Sequence, residues 1–426
     1  MKMKRIEGLL RNKHFKSFST LAVGTVSSQI LLVAVSPLLT RLFTPQDFGV
    51  LSAFTSIAVI CSIVFSGRYE LAVGLPESEA KAVAIMQLVR KLSVISSVLL
   101  FIAVFIFLGC HYLGYIRQDL FSFSYLLLPV YNFLVINNSA LIYWVNRHKE
   151  YGKVSLSSLF SAIFNILISV LLGFLGVNSF GLVLGLVAGM FASVVYFYVH
   201  YLKQIPKEKA STTEINLVAK EYIFFPKYTL FSDLAFNLNQ QFLPLVFTVF
   251  YSNHIVGLFS LANRMLRLPN IVFTTAIANI FRNEAIDHIR VKGNCQVLFK
   301  ATFKKLVFIG LIVYSSIFIL SPYLFVFFFG AQWETSAIYA QILCVMLFVE
   351  FFTQPFNSLY YVCNNQKTFL KLQSLQTFFS IGIVVVLSVL KKDVLIILKT
   401  YSFISIMFSF TNLYFTFKLS QVQNGS

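Results

Sequence analysis

The sequence predicts an all-α integral membrane protein with about twelve transmembrane helices in two six-helix lobes and both termini in the cytoplasm. Composition, the length of the apolar runs and the placement of Lys and Arg carry that prediction. Of 426 residues, 58% are hydrophobic and 12% charged, and the mean hydropathy is +0.78. A soluble chain of this length could not hide so much apolar surface, because roughly half the residues of a soluble domain are polar enough to cover it. The aromatic content, dominated by 48 Phe, suits a lipid-facing surface.

About 20 consecutive apolar residues cross the hydrocarbon of a bilayer. Twelve runs qualify, near 17–40, 48–67, 88–110, 120–144, 154–175, 179–201, 224–249, 255–280, 301–321, 336–362, 368–390 and 394–417. With the N-terminus inside, 27 Lys and Arg fall in cytoplasmic segments, four (Arg41, Arg117, Lys391, Lys392) fall outside, and three (Arg264, Arg267, Lys399) lie within spans, accounting for all 34. The positive-inside rule selects this topology, and an odd number of spans would misplace the later loops. The basic first 16 residues are followed by an apolar run too long for a signal-peptide core, so that run is expected to stay as the first helix.

The loops on the outer side are short: Phe43-Thr44-Pro45-Gln46, Gly176-Val177-Asn178 and Tyr251-Ser252-Asn253-His254. They leave no room for an outer catalytic domain. The longest polar stretch follows the sixth span. It divides the chain into an N-lobe (1–203), a cytoplasmic linker (204–223) and a C-lobe (224–426). A weak internal repeat supports the division. Phe48-Gly49-Val50-Leu51-Ser52-Ala53 resembles Val256-Gly257-Leu258-Phe259-Ser260-Leu261, and Arg68-Tyr69-Glu70 resembles Arg282-Asn283-Glu284. Repeats an even number of spans apart run in the same direction and imply a pseudo-two-fold axis along the membrane normal, with a cleft between lobes as the natural substrate site.

Several function classes are excluded. The net charge of +18 lies in short inter-span stretches without any nucleic-acid-binding pattern, so nucleic acid is not an expected partner. Five scattered Cys with no C-x-x-C spacing read as reduced thiols, and no metal is expected. There is no P-loop, H-E-x-x-H or G-x-S-x-G pattern, so no enzymatic activity is expected. Gly181, Gly185 and Gly189 form a doubled G-x-x-x-G that lets helices pack closely.

Ionisable residues inside spans are costly and mark function. At 1.5 Å per residue from a helix start near Ile255, Arg264 lies about 14 Å deep and Arg267 about 18 Å, close to the midplane at about 15 Å. Three residues apart, they share a face. An anionic group suits them, because the planar guanidinium holds two phosphate oxygens and stays charged. The alternative is a structural network neutralised by Asp233 and Glu350. Polar stripes follow helical spacing in four spans: Gln29, Ser36 and Thr40 near Arg41; Asp233, Asn237 and Gln241; Glu350, Gln354 and Asn357; Lys399, Ser402, Ser409 and Asn412. They suggest a water-filled cavity lined by Gln29, Asn237, Gln241 and Gln354. Asp233 and Glu350 are candidates for coupling an ion, H+ or Na+, and no bound cofactor is expected.

The run Pro37-Leu38-Leu39-Thr40-Arg41-Leu42-Phe43-Thr44-Pro45-Gln46-Asp47-Phe48-Gly49 resembles the junction of the first two helices in Wzx-type polysaccharide-unit flippases, the O-antigen transporters of the MOP exporter superfamily. Gly67-Arg68-Tyr69-Glu70-Leu71-Ala72-Val73-Gly74-Leu75-Pro76 looks like the same family's signature after its second helix. The resemblance implies a MOP/MATE-like fold of two six-helix bundles and a place in the bacterial inner membrane. It also implies movement of an undecaprenyl-pyrophosphate-linked oligosaccharide (an O-antigen or related repeat unit) to the outer face by alternating access. The partners it implies are that lipid-linked sugar, membrane lipids and other polysaccharide-assembly membrane proteins. Arg264, Arg267, Lys399 and Arg41 are then the expected substrate-binding residues. Arg68 and Glu70, at a cytoplasmic helix end, read either as a gate contact or as an exposed ion pair. Two other readings stand beside this one. A MATE-type drug or metabolite exporter would prefer an acidic cavity, and a membrane polymerase or ligase of the same pathway would need a large outer loop.

Overall fold

The computed structural model describes residues 24, 26–115, 122–201, 210–363 and 365–421, and no strand occurs among them. Nine helices among the described residues are long and apolar enough to cross a membrane. The protein is a multi-pass, all-α membrane protein. The basic N-terminal residues, Arg117 and positions 204–209 of the expected linker lie outside the described residues. The chain divides into two compact units, Met1–Asn237 and Leu238–Ser426.

The first unit contains α1 (Ser36–Leu42), which follows helical residues 26–34, and α2 (Pro45–Ser66). The start of α2 is fixed by sequence. Thr44 Oγ1 accepts the Asp47 amide at 3.3 Å and Asp47 Oδ2 accepts the Thr44 amide at 2.9 Å, a reciprocal capping box, with Pro45 at the position where a missing N–H costs nothing. Then come α3 (Glu79–Tyr112), α4 (Leu128–Arg147), α5 (Tyr151–Phe174), α6 (Ser179–Tyr201) and α7 (Thr212–Glu221). The glycine repeat seats α6 on α5. A Cβ at Gly185 would stand 2.0 Å from Ser169 Oγ and 2.8 Å from the Asn165 carbonyl, and one at Gly189 would stand 2.4 Å from the Ser161 carbonyl. Only glycine permits that approach. The α3–α4 seam is polar at its centre. Asn132 Nδ2 donates to Ser96 Oγ at 2.9 Å and Asn137 Nδ2 to Ser93 Oγ at 2.8 Å. Within the segment read as linker, α7 is a docked amphipathic helix that buries Ile215 and Val218 and packs on α3. The Tyr69 hydroxyl donates to the Ala219 carbonyl at 3.0 Å.

α8 (Leu230–Phe250) carries the chain across the division between the units. The second unit continues with α9 (Asn253–Leu266), α10 (Thr275–Lys292), α11 (Gln296–Phe329), α12 (Glu334–Thr353), α13 (Ser358–Val362), α14 (Gln366–Val389) and α15 (Val394–Ser420). Here α12 is central, packing on α9, α11 and α15. The eighth span is not the single helix expected over 255–280. α9 stops at Leu266, Pro269 follows, and a π-helical turn (Asn270–Thr274) leads into α10. Pro269 has no N–H for an upstream carbonyl, and its ring opposes continuation of the α-helix. The tenth span is also interrupted: α12 passes through a 3-10 turn at Gln354–Asn357, which contains Pro355, into α13.

The repeat holds at the helix starts and fails at their ends. α2 is capped by Thr44 and α9 by Ser252, whose Oγ accepts the Ile255 amide at 3.4 Å. α2 closes at Gly67, whereas Arg282 and Glu284, expected to close a helix, lie inside α10.

Candidate functional site

Two charged networks occupy the two units. In the first, α2 ends on consecutive left-handed residues, Gly67 (φ +58°) and Arg68 (φ +60°). The left-handed region strains a residue with a side chain and persists only where surroundings enforce it. Two carboxylates do so. Arg68 Nε donates to Asp233 Oδ2 at 2.6 Å and Arg68 Nη1 to Glu70 Oε1 at 2.9 Å. Asp233 stands in the first turn of α8, so the triad ties the turn after α2 to the start of the seventh span. Asn237 spends its amide on the Asp233 carbonyl at 2.8 Å.

Glu70 is 2% exposed, and its second oxygen has no hydrogen-bond partner among the described residues. The pair is therefore not the surface ion pair that was one reading of the sequence. Burial raises the Glu70 carboxyl above its ordinary range, opposed by Arg68, by its own backbone and by Ser66, and reinforced by Asp233. Loss of hydration disfavours the charged form more than the guanidinium restores it.

In the second unit, Arg264 lies in the last turn of α9 and Arg267 caps it, where the helix breaks. They stand about 17 and 21 Å along from Asn253. Arg267 Nε donates to Asn263 Oδ1 at 2.9 Å. Arg267 Nη1 stands 3.7 Å from Glu350 Oε2, too long for a good hydrogen bond. Gln354 Nε2 donates to that Glu350 oxygen at 3.1 Å. Arg264 pairs with no carboxylate among the described residues. The break is held from α11: the Tyr314 hydroxyl donates to Asn270 Oδ1 at 2.9 Å. On the same side of the sequence pattern, Asn412 Nδ2 donates to Asn357 Oδ1 at 2.7 Å and the Tyr360 hydroxyl to Asn412 Oδ1 at 2.9 Å. Two arginines with one loosely held carboxylate are net positive, and guanidinium N–H groups have no partner among the described residues. Such a site can take an anion with two or more oxygens.

The structure therefore brings together Arg267, Glu350 and Gln354, and separately Arg68, Glu70 and Asp233. Of the two carboxylates in the alternative network, Glu350 stands beside Arg267 and Asp233 pairs with Arg68. Lys399 on α15, Arg41 on α1 and Gln29 are exposed, and Gln241 is half-buried on α8. Asn263, Asn270 and Tyr314 were missed from the sequence. Asn263 and Asn270 could have been found, since they flank Arg267 at helical spacing beside Pro269. Tyr314 is supplied by a distant helix and leaves no local signal.

A family model described as "Polysaccharide biosynthesis protein" matches residues 38–338. No curated protein matches the chain significantly in sequence. Among solved structures, an inward-facing multidrug-resistance MATE transporter of the MOP superfamily aligns at TM-score 0.60 and 13% identity, covering 96% of each chain. An outward-facing multidrug-resistance MATE transporter aligns at TM-score 0.60 and 15% identity over 98% of each chain. A MOP-superfamily transporter from Pyrococcus furiosus, described as having a binding pocket of reverse polarity that suggests a different function, aligns at TM-score 0.57 and 15% identity over 98% of each chain. At such identities the likeness concerns the fold.

Proposed function

We propose a transport function from the premise that this chain belongs to the polysaccharide biosynthesis protein family: it is a flippase of the bacterial inner membrane. Its substrate is an undecaprenyl-pyrophosphate-linked oligosaccharide, moved from the cytoplasmic to the outer face by alternating access. The observation that carries the reading is the arginine pair at the break between α9 and α10, with Arg264 lacking a carboxylate partner among the described residues. A pyrophosphate offers the bidentate oxygens that guanidinium groups hold. A cationic drug would meet repulsion there, so the exporter reading is the weaker one. The Pyrococcus furiosus protein, with its pocket of reverse polarity, is a precedent on this fold for a site of altered charge.

In this account Arg264 and Arg267, helped by Lys399, hold the phosphates, and the prenyl tail stays in lipid. Glu350, loosely held at 3.7 Å from Arg267, is released when phosphate takes the arginine, and it is then free to bind H+ or Na+. Asp233 serves Arg68 and couples less directly.

The test uses a strain deleted for this gene. The intact gene should clear lipid-linked oligosaccharide from the cytoplasmic face and restore surface polysaccharide. The double variant R264A/R267A, present in the membrane at normal level, should not. Full restoration by that variant would overturn the assignment of the site. Normal delivery to the outer face in the deletion strain would overturn the flippase reading itself.

A further inference from the structure

α3 is 34 residues long, about 51 Å at 1.5 Å per residue, whereas the hydrocarbon needs only about 30 Å. Its far end carries exposed Tyr112, with exposed Tyr115 just beyond it, the aromatic residues that settle at a membrane–water interface. About 20 residues back from Tyr112, at the other boundary of the hydrocarbon, stand Arg90 and Lys91, both exposed. Below them Val94, Ile95, Val98, Leu99, Phe101, Ile102, Phe105 and Ile106 are all exposed. At spacings of three and four they form one apolar stripe on the helix, the chemistry of lipid contact and not of a polar cavity. The opposite face, with Val89, Ser93, Ser96 and Leu100, is buried.

Arg90 and Lys91 line a depression of about 500 Å³ together with Gln87, Val94 and Ile95. Neither cation pairs with a carboxylate among the described residues, and no carboxylate lines the depression. Both cations are exposed and open to an anion from outside the protein.

We infer that Arg90 and Lys91 form a binding site for the headgroup of an anionic glycerophospholipid. Its phosphate lies between the two cations and its acyl chains run down the stripe from Val94 to Ile106. The site is on the outside of the first unit. It depends on α3 crossing the bilayer, not on the transport reading.

The test is native mass spectrometry of the full-length protein, purified in detergent and supplied with phosphatidylglycerol or phosphatidylcholine. The wild-type protein should retain phosphatidylglycerol preferentially. R90Q/K91Q should lose that preference by roughly tenfold or more, since each cation near the surface contributes about one charge's worth of headgroup attraction. R90K/K91R should keep it, and K391Q/K392Q, altered at exposed lysines elsewhere, should leave it unchanged. Equal retention by wild type and R90Q/K91Q would overturn the proposal, as would equal retention of the two lipids. Displacement of phosphatidylglycerol by inorganic pyrophosphate alone would also overturn it, because the site would then read a free phosphate and not a lipid.

Discussion

Arg68 shows how one residue is held by charges that its own sequence neighbourhood supplies only in part. Glu70, two residues on, was visible as a candidate partner. Asp233, 165 positions away, was legible only as a polar residue inside a span. With both carboxylates engaged, Arg68→Ala leaves Glu70 buried without its cation. Because Arg68 and Asp233 are partly exposed, the expected loss is about 2 kcal/mol, read as a lowered melting temperature in detergent; an unchanged melting temperature would show that the triad contributes nothing. Glu70 also sets a pH dependence. Its folded-state affinity for a proton is raised by burial, so its contribution is present at and below the ordinary carboxylate range and is lost as pH rises through the raised value. Wild type should therefore lose stability relative to Glu70→Gln as pH is raised from the acid side. A difference that is flat with pH, or that grows in favour of wild type, would show that Arg68 outweighs the loss of hydration.

At the scale of elements, the sequence pattern placed the spans well where apolar length alone decides and less well where backbone chemistry intervenes. The capping box at Thr44 and the glycine repeat of α6 are local signals, and the structure uses both. Gly185→Leu should drive α6 off α5, since the obstruction includes the Asn165 carbonyl, a backbone atom that cannot rotate away. A drop of about 1–3 kcal/mol is expected, measured as a lower melting temperature and a lower membrane level; a variant as stable as wild type would mean the two helices can separate freely. The break after α9 is a different kind of feature. Pro269 marks it, yet the hydropathy of the segment reads straight through. Pro269→Ala restores a backbone donor and favours a continuous helix. The protein should remain folded while surface polysaccharide in the complemented deletion strain falls severalfold, because straightening the helix would shift Arg267 relative to Glu350 on α12. Full complementation would separate the break from function.

For the whole molecule, hydropathy and Lys/Arg placement led to an all-helical membrane fold, and the two signature runs around Arg41 and Arg68 led to the family. The chain's match to that family over residues 38–338 and its likeness to MATE transporters over nearly its full length agree with both. Membrane insertion is governed by the free energy of each segment in hydrocarbon, a sum over neighbouring residues, so a linear sequence determines which segments cross and which residues are too polar to cross without a purpose. It also singled out Arg264 and Arg267 as a pair, since their spacing is a property of one segment. Which charges meet is not a segment property. Glu350 facing Arg267, Asp233 drawn to Arg68, and Tyr314 bracing Asn270 all depend on helices far apart in sequence packing side by side. Those pairings are settled by close packing and by the cost of leaving a buried charge unmet, and only the tertiary structure decides them.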